Sequence, residues 1–312
     1  MAEREFREQE LPEQEFPEQD PVKLYVPKRK NLHTVRDPFA PVGVFDSGVG
    51  GLTVFREIMR QMPEERLVYF GDTARLPYGA KSRETVIRFS RQIVRFLRSQ
   101  GVKAIVIACN TASSFALETL ARESDIPVIG VIYAGALTAA RTTKNGCVGV
   151  IGTRGTVKSR IYEQVIRSLN PEVRVIQKAC PLFVPLVEEG LIHDSVTDEI
   201  ASRYLQELKG KYVDTLVLGC THYPLLRSTI AKIMGDEVTL VNPAYETAVE
   251  LKEILGREKL LNPGYVQADA APADGEQYRF FVSDLAESFT DFAASILPGR
   301  VKNAQKIEIE EY

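Results

Sequence analysis

The chain has 312 residues, 44% hydrophobic and 26% charged, with a net charge of −3; this is the balance of a globular protein with room for two ordinary domains. It offers no basic footprint for nucleic acid, no apolar run long enough to span a membrane and no apolar secretory leader. Four cysteines without a CxxC pair argue against a disulfide scaffold and against a metal site, and free thiols point to a reducing cytoplasm.

Residues 1–37 differ from the rest. Arg7 to Asp20 is a Pro-Glu-Gln run, polar, acidic and broken by proline, and is expected to be disordered in isolation. From Pro41 the pattern alternates strand and helix. Val42–Phe45 reads as a strand, Asp46-Ser47-Gly48-Val49-Gly50-Gly51 as a Gly-rich turn, and Leu52–Met62 as an amphipathic helix. Glu65–Phe70 is a second strand, Leu76-Pro77-Tyr78-Gly79 a loop, and Ser82–Ser99 a helix with Val86, Phe89, Ile93, Phe96 and Leu97 at helical spacing. A strand ending at Cys109, a helix, and a strand over Pro127–Ile132 follow. Alternation of this kind predicts a mostly parallel, doubly wound α/β sheet.

The pattern then restarts. Val148-Gly149-Val150-Ile151-Gly152-Thr153-Arg154-Gly155-Thr156 echoes the segment from Val42 to Gly50. Ile105-Val106-Ile107-Ala108-Cys109-Asn110-Thr111 is echoed by Leu216-Val217-Leu218-Gly219-Cys220-Thr221-His222. Gly43 and Cys109 are 66 positions apart, Gly149 and Cys220 71. Two motifs in one order at similar spacing indicate an internal duplication. The expected architecture is two similar doubly wound domains related by a pseudo-twofold axis, with the active site in the cleft between them. The second half continues with a helix over Leu225–Met234, a strand over Val238–Asn242 and a helix over Tyr245–Leu255. Asn262–Gln277 reads as an exposed loop. The tail segment Tyr278–Val282, the helix Leu285–Leu297 and Lys306–Ile309 should return to the first half. The domain boundaries that follow are 38–133 with 246–312, and 134–245.

Cys109 and Cys220 each sit where an apolar run stops, at the carboxyl end of a buried strand, where open α/β sheets bind ligands. A single such cysteine is more often a small buried hydrophobe, and Cys147 and Cys180 read that way. Two at equivalent positions, each followed by hydroxyl or amide side chains, favour chemistry. Paired thiols across a cleft suit inversion of a carbon acid. One thiolate removes the α-proton from one face and the opposing thiol delivers a proton to the other. With an ordinary pKa of about 8.5 a thiol can serve as either acid or base, given a neighbour that helps it ionise. Asp46 could sit beside Cys109, and His222 beside Cys220. Asp46–Gly51 matches neither Walker A nor GxGxxG. Its glycines, with Asn110-Thr111 and Thr221-His222, still offer donors at helix starts, suited to a substrate carrying two carboxylates.

Four segments together resemble glutamate racemase: Gly43 to Leu52, Gly71 to Gly79, Ala108 to Ser113, and Leu218 to Leu225. The resemblance runs from about Pro38 to near the C-terminus. It implies a cofactor-independent racemase that interconverts L- and D-glutamate, the latter for peptidoglycan, with Cys109 and Cys220 as the paired bases. It also implies substrate contacts at Asp46, Ser47, Pro77, Tyr78, Gly79, Asn110, Thr111, Thr221 and His222, and supporting acid/base residues Asp46, His222 and Glu188. Glu188 has an immediate neighbour, Glu189, that could fill the same place. A homodimer is expected by analogy. The alternatives are an aspartate racemase, against which His222 and the Pro77-Tyr78-Gly79 loop argue, and a two-domain small-molecule binding protein with merely buried cysteines.

Overall fold

The protein is seen here in a computed structural model that describes residues 37–264, 277–284, 287–301 and 303–312. The Pro-Glu-Gln run and most of the expected loop over 262–277 lie outside these residues.

Two parallel sheets carry the fold. In the first, β1 (Val42–Asp46) lies between β2 (Leu67–Gly71) and β3 (Ala104–Ile107), and β4 (Val128–Gly130) extends it beyond β3. On the other side β9 (Tyr278–Val282) pairs with β2 and β10 (Ala304–Lys306) forms the edge, giving the order β10-β9-β2-β1-β3-β4. The second sheet contains β5 (Cys147–Gly152), β6 (Arg174–Ala179), β7 (Thr215–Gly219) and β8 (Thr239–Val241), in the order β6-β5-β7-β8. The order β2-β1-β3-β4 thus recurs as β6-β5-β7-β8, as the duplicated motifs predict. β1, β2, β3, β5 and β7 are buried throughout, which is why they read as unbroken apolar runs rather than alternating ones.

The repeat extends to single contacts. A Cβ on Gly43 would meet Leu97 and Val102 at 3.2–3.3 Å, and one on Gly149 would meet Leu216 and Val213 at 2.9–3.0 Å. Val102 and Val213 stand the same distance before the two cysteines. In both halves the missing side chain leaves room on the face of the first strand for the valine seven positions before the cysteine.

Helices cover the sheets: α1 (Leu52–Gln61), α2 (Arg83–Ser99), α3 (Asn110–Glu123) and α4 (Val131–Thr142) in the first stretch of chain, then α5 (Arg154–Ser159), α6 (Ile161–Leu169), α7 (Phe183–Glu188), α8 (Ser195–Lys209), α9 (Arg227–Met234), α10 (Pro243–Arg257) and α11 (Glu287–Ile296). α10 packs on both α1 and α4, and α4 packs on α6. One apolar cluster therefore runs through Val44 and Val106 of one sheet and Val150 and Val217 of the other. Among the described residues no helix is long and apolar enough to cross a membrane.

Several element limits differ from the sequence reading. The strand expected over 127–132 stops at Gly130, and Val131-Ile132 open α4, whose first N–H donates to Ser113 Oγ at 3.4 Å. The helix expected over 225–234 is a 3-10 turn, Tyr223–Leu226, followed by α9, with Pro224 in the opening turn. The helix expected over 245–255 begins earlier, because Asn242 caps it by accepting from Ala244 N at 3.1 Å and Pro243 suits its first position. The returning segment expected over 306–309 meets the first sheet earlier: β10 covers Ala304–Lys306, and a 3-10 turn covers Ile309–Glu311.

Candidate active site

Both cysteines occupy the carboxyl ends of their strands. Cys109 lies between β3 and α3, 5% exposed, and its Sγ accepts from Ala112 N at 3.4 Å. Its thiol donates to Ser47 Oγ at 3.6 Å. Asp46, fully buried at the end of β1, bears on Cys109 through its charge, while its Oδ2 accepts from Gly48 N at 3.1 Å. The hydrogen-bonding side chain beside Cys109 is thus Ser47. Burial first, and then the Asp46 charge, push the Cys109 thiol up to about 12, and the Cys220 charge adds to this.

Cys220 follows β7 and is 6% exposed. Its Sγ lies 3.8 Å from His222 Nδ1, and His222 Nε2 lies 3.0 Å from Glu188 Oε1 at the end of α7. The contact is made by Glu188, the first of the two adjacent glutamates. Burial opposes the imidazolium, but the hydrogen bonds to Cys220 and Glu188 outweigh it and carry His222 up to about 10. His222 is therefore held as a cation beside one sulfur. Its charge also reaches Asp46, whose pKa is raised by burial and pulled back by His222 and by the N–H groups of Gly51, Gly48 and Ser47.

The remaining sequence-predicted residues converge on the same region. Tyr78 is buried, its ring 5.8 Å from Phe89, and its hydroxyl donates to Asp72. Asp72 also accepts from Arg75 Nε and from Ser283 Oγ at 2.8 Å, so β9 helps to hold the Tyr78 loop. Phe89, expected in the core face of α2, is only half-buried and lies under the Arg75 guanidinium at 4.1 Å. Pro77 is exposed at the tip of this loop. A Cβ on Gly79 would meet Thr153 at 2.8 Å, so the loop rests on the start of α5 in the other half.

Asn110 and Thr111 also reach across. Tyr162 of α6 donates to Asn110 Oδ1 at 2.7 Å, and Thr111 Oγ1 lies 2.9 Å from Thr153 Oγ1 and 3.4 Å from Thr156 Oγ1. From the other side, Thr53 Oγ1 donates to Thr221 O at 3.0 Å. Gly50 lies so close to Thr221 and His222 that a Cβ there would come within 2.4–2.5 Å of both side chains. Asn110, Cys220 and Thr221 border a cavity of about 10 Å³, at the lower limit for one water. The arrangement offers two sulfurs in two different polar settings, each close to groups that hold or pass a proton.

Sequence reading did not single out Asp72, Thr153, Thr156 or Tyr162. Asp72 lay inside a quoted motif. Thr153 and Thr156 lay inside the echoed segment after β5, where Thr153 corresponds to Ser47 and Thr156 to Gly50, so the repeat itself carried a signal. Tyr162 sits on a helix that carries no motif.

Known proteins resemble this chain over most of its length. Residues 43–251 match the family model for Asp/Glu/Hydantoin racemase. The glutamate racemase of Geobacter metallireducens is 48% identical over 273 residues, covering 88% of this chain and 98% of that protein. Among solved structures, a glutamate racemase isoform from Bacillus anthracis superposes with a TM-score of 0.81 at 40% identity, covering 86% of this chain and 97% of that one. The glutamate racemase of Francisella tularensis, solved in complex with D-glutamate, gives 0.79 at 37% identity, covering 88% of this chain and all of that one. With the duplicated α/β halves and the two motif cysteines, these likenesses make the chain a member of the glutamate racemase family.

Proposed function

We propose that the chain interconverts L- and D-glutamate by a two-base reaction in which Cys109 and Cys220 act on opposite faces of the α-carbon. One sulfur, as thiolate, takes the α-proton. The other, as thiol, delivers its own proton to the opposite face, and the roles reverse with the enantiomer. The observation that carries this reading is the pair of buried sulfurs at equivalent strand ends, near enough for the charge of Cys220 to bear on Cys109.

In this reading His222, supported by Glu188, holds and returns the proton of Cys220, while Asp46 and Ser47 serve Cys109. Helix-start groups at Ser47, Asn110, Thr111 and Thr221, with the Pro77-Tyr78-Gly79 loop, bind the two carboxylates and the ammonium of glutamate. The product serves peptidoglycan synthesis, and the enzyme works in the cytoplasm as a homodimer. The chain divides into 38–133 with 246–312, and 134–245; the return of β9 and β10 to the first sheet supports that division.

The test is exchange of the α-hydrogen in D2O, alongside circular-dichroism turnover of L-glutamate without added cofactor. Cys109→Ser should abolish deuterium uptake from one enantiomer and Cys220→Ser from the other, each lowering racemisation by about 10²–10⁴-fold. Racemisation that survives both substitutions together would overturn the mechanism.

A further inference from the structure

Tyr162 lies outside every motif, yet it touches both cysteine motifs. It is fully buried on α6. Its ring edge lies where a Cβ on Gly219, the residue before Cys220, would come within 3.2 Å of Cε2. Its hydroxyl donates to Oδ1 of Asn110, the residue after Cys109, at 2.7 Å. A side-chain amide has an acceptor end and a donor end. With the acceptor end taken by Tyr162, the Nδ2 hydrogens are turned away from α6. Asn110 is itself buried, 4% exposed, and the side-chain hydrogen bond it makes among the described residues is the one from Tyr162. Asn110 borders the small cavity that Cys220 and Thr221 also border.

We infer that Tyr162 is a positioning residue, which fixes the Asn110 amide with its NH2 group toward the substrate and so couples carboxylate binding beside Cys109 to the strand end that carries Cys220. The inference rests on the racemase reading and adds a residue to it. Without the phenol oxygen, the amide is free to rotate and present its oxygen to an anion. Burial, and then the charge of Cys220, raise the pKa of the phenol, so it remains a neutral donor across the working range.

The experiment is steady-state racemisation of both enantiomers by the wild type, Tyr162→Phe, Asn110→Ala and the double variant. Tyr162→Phe should raise KM for glutamate about tenfold, the scale of one hydrogen bond to a charged group, while kcat changes less than about threefold. In the Asn110→Ala background the same substitution should change nothing further, because the two residues act through one amide. Wild-type KM in Tyr162→Phe, or an equal rise in KM in the Asn110→Ala background, would overturn the inference while leaving the racemase reading intact. A wild type inert toward glutamate would overturn both. If Tyr162→Phe alone fails to fold for want of a partner to Asn110 Oδ1, the double variant, which orphans neither group, decides the matter by whether its KM equals that of Asn110→Ala.

Discussion

The two sulfurs are equivalent by position but not by surroundings. Cys109 has a hydroxyl and a backbone N–H at hand and is pushed up to about 12, whereas Cys220 has an imidazolium backed by a carboxylate. Both His222, at about 10, and Cys109 hold their protons more tightly in the folded chain than in the unfolded one. In each case the folded state binds more protons above the unfolded pKa, so stability is present in full below that pKa and is lost as pH rises toward the folded one. Melting temperature should therefore fall from about pH 6.5 upward through His222, and again above about pH 8.5 through Cys109. A titration of the His222 ring by NMR checks the cause: the midpoint should lie near 10 and drop in Glu188→Gln, which removes a carboxylate that sustains it. An unchanged midpoint would mean that Glu188 does not sustain the charge. Much of this setting was legible in the sequence, because strand-end motifs carry their polar residues at fixed offsets. Cys220 to His222 is one such offset. The partner of Cys109 was harder to read: Asp46 and Ser47 are adjacent, and only the direction in which the chain turns after β1 decides which one meets the sulfur.

At the scale of the elements, the buried strands were read most easily and β6 not at all. β6 is the edge of the second sheet, Arg-Val-Ile-Gln-Lys-Ala, and is nowhere fully buried, so it lacks the apolar run that betrays a central strand. The strand expected over 127–132 erred the other way, since an apolar run continued into a helix that is buried as deeply. At the opposite end of the first sheet from the cysteines, Lys103, just before β3, meets Glu65, just before β2, at 2.6 Å with both side chains at most 1% exposed. Lys103 also donates to Pro38 O at 2.6 Å, and Glu65 Oε1 accepts from Asn262 N at 2.8 Å. This pair ties the described N-terminal segment and the chain after α10 to the sheet. Lys103→Met leaves a buried carboxylate unpaired and should cost about 3–5 kcal/mol in urea unfolding. Adding Glu65→Leu should recover a large part of that loss, as removal of both charges often does. Failure to recover would mean that the pair's hydrogen bonds matter more than its charges.

Taken whole, the molecule holds its halves together in two ways. Around α4 and α10 the contact is a continuous apolar layer. Around the sulfurs it consists of single polar links, Thr53 to Thr221, Asn110 to Tyr162, and Thr111 to Thr153. With the two cysteines only 5–6% exposed, glutamate reaches their sulfurs only if the polar side of the contact parts. Gly50 gauges how closely that side must return. A methyl group there would collide with Thr221 and His222, so Gly50→Ala should lower kcat/KM by about 10²-fold through misplacement at the site, with little change in melting temperature. Full activity in Gly50→Ala would show that the halves need not approach so closely. The pseudo-twofold plan was visible in the sequence as two repeated motifs. The links across it were not, because they join residues such as Asn110 and Tyr162 that no spacing rule connects.

The unequal settings of the two sulfurs carry a thermodynamic corollary. Mirror-image glutamates have the same free energy in water, so the equilibrium between them is unity whatever the enzyme contributes. The His222 side and the Ser47 side can therefore give the two directions different kcat and different KM, but the ratio kcat/KM must come out the same for both. Each substitution around either sulfur must lower that ratio equally for L- and D-glutamate, however lopsided its effect on the separate constants.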